Sequence, residues 1–173
     1  ILCATNRIDK PKLRTSLALV RSIRALRGKR HHSRLIDNMT FGAFNKAFSP
    51  NRTSHDWLSR DTQQVDRYLR DPLCGFPCTA GLWSDFISGM LTINPKSWRK
   101  DLPIHLMAGD SDPVGEMGRG FRRHVADLRG AGLLVASDRL FPGARHELIN
   151  ETNADEVWHH ILDCLRTETD SGV

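Results

Sequence analysis

The last third of the chain alternates two short apolar runs with two amphipathic helical patterns, and no other feature constrains the fold as strongly. Ile104–Ala108 reads as a buried strand. Gly115–Gly132 reads as a helix carrying Met117, Phe121, Val125 and Leu128 on one face, stopped by Gly130 and Gly132. Leu133–Phe141 is a second strand. Asn153–Arg166 is a final helix, with Asn153 as N-cap, Glu156 in capping-box position, and Val157, Ile161 and Leu165 facing inward. Strands joined through helices pair in parallel, because a crossover is the only way back to the same edge. The pattern therefore predicts an α/β fold, a parallel sheet with flanking helices. Ile1–Thr5 reads as the end of a further buried strand, and the absence of an initiator Met supports truncation.

The text before Leu102 has another character. Lys12–Arg27 shows helical spacing through Leu13, Leu17 and Val20, with Leu19, Ile23 and Leu26 beside them and basic residues between. Asp61–Leu69 is a short helix with Val65, Tyr68 and Leu69 available to pack, ended by Asp71-Pro72. Ala80–Leu91 is another, carrying Leu82, Phe86, Met90 and Leu91. This divides the chain into a core strand (1–7), a helical insertion lying over the sheet (8–98), and a regular α/β segment (99–173).

Composition excludes several classes. At 39% apolar and 26% charged residues, 173 positions suffice for a core, and no apolar run is long enough to cross a bilayer. Residues 1–50 hold eleven Lys/Arg against Asp9 and Asp37, a basic end that reads first as a solvated helix face and loop and that also suits anionic lipid headgroups or nucleic acid. No zinc-finger, homeodomain or RNA-binding pattern accompanies it, so nucleic acid is not an expected partner. Cys3, Cys74, Cys78 and Cys164 are too scattered for a disulfide framework, which predicts a reduced, cytoplasmic protein. His31-His32 and His159-His160 are adjacent pairs whose side chains diverge, so no metal site is expected.

Two segments carry chemistry. Gly109-Asp-Ser-Asp-Pro113 follows the first strand, and Pro142-Gly-Ala-Arg-His146 follows the second. Open α/β sheets place reactive groups beyond the carboxyl ends of their strands. Asp112 and His146 thus fall on one rim, in the order acid then histidine that the Ser…Asp…His triad of α/β-hydrolases follows. Asp110 competes for the acid role. No G-x-S-x-G motif occurs in the chain; Gly109-Asp-Ser111-Asp-Pro113 misses it only at the last position, where Pro spoils the glycine-dependent turn.

Phe41-Gly-Ala-Phe-Asn-Lys-Ala-Phe48, Trp57-Leu-Ser-Arg-Asp61, Asp71-Pro-Leu-Cys-Gly-Phe76, the acidic turn and Gly143-Ala-Arg-His-Glu-Leu-Ile-Asn-Glu-Thr152 together resemble the lysophospholipase and monoacylglycerol-lipase-like α/β-hydrolases, also described as S33 serine aminopeptidases. The resemblance implies the C-terminal portion of that fold with a helical cap insertion, Asp112 as triad acid and His146 as triad base. It implies a carboxylic ester hydrolase that acts on small, lipid-like acyl esters without a cofactor. Transient contact with a membrane surface is an expectation from the basic end, not from the resemblance. The nucleophilic serine and its oxyanion hole are expected ahead of Ile1, the serine about 20–30 residues upstream. These 173 residues alone are therefore expected to be inactive. The alternative expectation is an inactive hydrolase-like binding module.

Overall fold

The computed structural model describes residues 1–7 and 9–170, with side chains through 167. Three parallel strands, β1 (Leu2–Cys3), β2 (Ile104–Gly109) and β3 (Val135–Phe141), form a sheet with β2 in the middle. All six β2 residues are buried, because the period-2 alternation of a strand sends side chains to two covered faces. Ile104, Leu106 and Ala108 pack with Phe121, Val125 and Leu128 of α6 (Arg119–Gly130). Met107 points the other way, into Phe141, Ala144, Leu148 and Val157 of α7 (Ala154–Asp170). The result is a helix–sheet–helix sandwich, as the alternation of runs predicts.

Residues between β1 and β2 are helical. Helix α1 (Lys10–Arg27) starts where the Asp9 side chain accepts from Lys12 N at 3.1 Å, and ends at Gly28, whose positive φ of 89° halts it. Arg34–Lys46 follows as α2 (Arg34–Asp37), a π-helical turn (Asn38–Gly42) and α3 (Ala43–Lys46). Asp61 caps α4 (Thr62–Arg70), and Pro72 keeps Asp71 extended, so the helix stops there. Thr79 caps α5 (Ala80–Thr92). Leu17 and Val20 of α1, Ile36 of α2 and Ile87 of α5 form a separate apolar cluster.

Several expected details differ. The helix expected from Gly115 begins only at Arg119, because Glu116, Met117 and Gly118 all hold positive φ in a turn that replaces its first coil; Met117 is exposed. Helix α5 turns Ser84 and Ile87 inward and leaves Leu82 and Phe86 exposed. Leu69 and Leu165 are also exposed rather than packed. Asn153 stands directly before α7, as expected, and its carbonyl accepts from Glu156 N and Val157 N. Its Oδ1 accepts from Arg60 and its amide nitrogen donates to Glu156, which also pairs with Arg139. No helix among the described residues is long and apolar enough to cross a membrane.

His124 lies buried on α6, and burial lowers its pKa, with the Asp127 charge opposing. The folded state therefore resists protonation that the unfolded chain accepts below about pH 6.5. Stability is complete above that pH and declines below it. The urea midpoint should fall between neutrality and about pH 5, and His124→Gln should flatten the decline. His55 and His160, shifted the same way, keep part of it.

Candidate functional site

The parallel register pairs Gly109 with Phe141, so the turns after β2 and β3 leave the sheet side by side. They lie in backbone contact: a Cβ on Gly109 would stand 2.0 Å from Ala144 O and 2.5 Å from Arg145 O. Only glycine permits that approach. Asp110 N donates to Phe141 O at 3.2 Å, Ser111 N to Ala144 O at 3.1 Å, and Gly143 N to Asp110 Oδ1 at 2.7 Å. Asp110, the competing acid, is thus occupied in locking the two turns together. It also accepts from Ser111 Oγ at 3.0 Å, so that hydroxyl turns to its neighbour.

Asp112 is 1% exposed. Its Oδ1 accepts from Val114 N at 2.9 Å, and its Oδ2 lies 3.0 Å from His146 Nδ1. A carboxylate only accepts, which places the proton on Nδ1 and leaves Nε2 with a lone pair. No described residue bonds Nε2. The structure therefore brings the two sequence-predicted residues together, 34 positions apart, one sealed and the other partly open to solvent. Such a pair can accept a proton at Nε2 and stabilise the resulting imidazolium through the carboxylate.

A second layer fixes the histidine turn. Glu147 N donates to Leu58 O at 2.8 Å and Ser59 Oγ to Asn150 O at 2.7 Å. The Glu151 carboxylate is 3% exposed and gathers Arg60 N (3.1 Å), Arg60 Nε (2.7 Å) and Arg145 N (2.8 Å). The Arg145 guanidinium donates to the carbonyls of Asp56 and Ser59 and lies 3.9 Å above the Phe48 ring. Burial lowers its pKa, while Glu151 and Asp56 favour the charged form. Trp57, 6% exposed, rests its ring 5.2 Å from that of His146 and packs on Phe41 and Phe44. Spacing alone gives no sign of these partners, since Arg60 and Glu151 lie 91 positions apart.

Two hollows lie near the pair, the first reaching it through Trp57 and the second lined by His146 itself. One, of about 430 Å³, is walled by Phe41, Trp57, Tyr68, Leu73 and Phe76 among others. The second, of about 390 Å³, runs along β1 past Cys3, Met107, His146, Leu148 and Ile161. Cys3 is exposed, yet partial desolvation by its neighbours and the nearby Asp112 charge push its thiol pKa up. All four cysteines are free, and no three His, Cys, Asp or Glu side chains among the described residues are placed to hold a metal.

A family model described as "Serine aminopeptidase, S33" matches residues 1–153. No curated protein matches the sequence. Among solved structures, a thermostable carboxyl esterase from Bacillus coagulans, in complex with glycerol, superposes with a TM-score of 0.83 at 25% identity, over 96% of this chain and 55% of that one. A lipase in its open form gives 0.75 at 23%, over 93% and 54%. A soluble variant of the Saccharomyces cerevisiae monoglyceride lipase gives 0.52 at 21%, over 80% and 51%. The last two are similar in fold only. The chain spans about half the length of these structures.

Two substitutions test the framework. Gly109→Ala is expected to cost about 3 kcal/mol, the upper end for overpacking, because the obstruction is backbone. Glu151→Ala leaves Arg60 and Arg145 N without their carboxylate and should also cost about 3 kcal/mol. Urea unfolding against the parent chain reads both.

Proposed function

The chain belongs to the serine aminopeptidase S33 family and has the fold of the C-terminal part of an α/β-hydrolase; on that footing we propose that it carries the acid–base half of a serine hydrolase acting on carboxylic esters of lipid-like substrates such as monoacylglycerols or lysophospholipids. The observation that carries this reading is the 3.0 Å bond between the sealed Asp112 carboxylate and His146 Nδ1 at the sheet rim. In the proposed cycle, His146 Nε2 takes the proton of a serine hydroxyl as the oxygen attacks the ester carbonyl. Asp112 holds the imidazole in the required tautomer and stabilises its cation. The imidazolium then protonates the leaving alcohol, and water repeats the sequence on the acyl-enzyme.

The serine and the N–H groups that stabilise the oxyanion belong, in this reading, outside these 173 residues, which contain no G-x-S-x-G. These residues alone would then bind but not turn over esters. Residues 8–98 act as the cap, and the aromatic hollow bounded by Trp57 is its natural acyl site, because Trp57 also touches His146. The choice of esters over peptides rests on the carboxyl esterase superposition.

The test uses the protein expressed from its complete reading frame, comparing monoacylglycerols, short-chain esters and aminoacyl amides. Ester turnover should dominate, and His146→Ala or Asp112→Asn should lower kcat by about 10⁴-fold. Faster amide turnover would favour an aminopeptidase. No turnover of any class would leave the inert binding module.

A further inference from the structure

The cationic surface around the end of α1 has no role in the chemistry above. From Arg21 to Arg34 the chain carries six Lys/Arg and two His and no acid. Arg24 makes a loose ion pair with Asp85 at 3.7 Å; Arg21, Arg27, Lys29, Arg30 and Arg34 have no ion-pair partner among the described residues. All six cations are exposed. Leu26, in their midst, is 83% exposed, and Leu35 is 53% exposed. The two leucines line one shallow depression together with Arg27, Arg34, His31 and His32. The loop beneath is held in place, since Ala80 N donates to His31 O at 2.8 Å and Gly81 N to Lys29 O at 2.9 Å.

A solvated helix face does not need a leucine presented between unpaired cations. An anionic bilayer accounts for both features: headgroup phosphates meet the guanidinium groups, and the leucines enter the interface below them. We propose that the end of α1 and the loop leading to α2 form a docking surface for bilayers rich in anionic phospholipid. Free phosphate or nucleic acid would use the charge but leave Leu26 and Leu35 in water. The proposal rests on this surface alone and not on the hydrolase reading, so either stands if the other fails.

The experiment is cosedimentation of the 173-residue chain with phosphatidylcholine vesicles, with and without phosphatidylglycerol, at low and physiological ionic strength. Binding should need phosphatidylglycerol and weaken as salt rises. Arg27→Gln and Arg34→Gln should each lower the partition coefficient by about fivefold. Leu26→Ser should lower it by about tenfold, and matching circular dichroism would exclude misfolding. Equal binding to both vesicles, or no binding to either, overturns the proposal in the parent chain itself, whatever the variants do. Binding that is indifferent to Leu26→Ser, with tighter binding to duplex DNA at the same salt, overturns it in favour of nucleic acid.

Discussion

The backbone contact between the turns after β2 and β3 is the constraint on which the rest depends. Parallel pairing brings Gly109 level with Phe141, and the missing side chain at Gly109 lets the Ala144–Arg145 backbone close over it. Three hydrogen bonds then lock the turns, two of them through Asp110, by its backbone N–H and by its side chain. Only with the turns so joined do Asp112 and His146 meet at 3.0 Å. The dyad is therefore a product of the sheet's register.

Around this contact, the residues that buttress the histidine come from the helical segment. Glu151, Arg60 and Arg145 tie residues 56–60 to residues 145–153 through a buried carboxylate that accepts from both sides. Such a carboxylate is costly to bury and tolerable only because charged and backbone donors surround it. The same tie brings Trp57 against His146, so the aromatic hollow and the reactive imidazole share a wall. Thus the segment proposed as a cap is joined to the site by polar bonds at one end, while its basic surface lies on α1 and the loop after it.

Much of this was legible in the sequence, for physical reasons that also mark where legibility ends. Period-2 and period-3.6 patterns identify β2, β3, α6 and α7, because burial on fixed faces leaves a local trace. The rim positions of Asp112 and His146 were legible from their places after strands, but the preference for Asp112 over Asp110 came from the resemblance. Met117 was misplaced because a run of positive φ has no signature at Glu116 or Met117, neither of which is glycine. Nothing in the sequence signals that Leu82 and Phe86 are exposed, because the inward face of α5 is set by the position of α1, which no local pattern encodes. The Glu151 network joins residues 91 positions apart, and a single sequence carries no record of such a pairing.

The most direct measurement is of the His146 ring itself, by nitrogen-15 NMR of the labelled 173-residue chain, with His146→Gln to assign its signals. The account predicts that the neutral imidazole is the Nδ1–H tautomer, with a slowly exchanging, low-field proton bonded to Asp112 and Nε2 unprotonated. A folded chain in which His146 is the Nε2–H tautomer, or shows no protected Nδ1 proton, would contradict it.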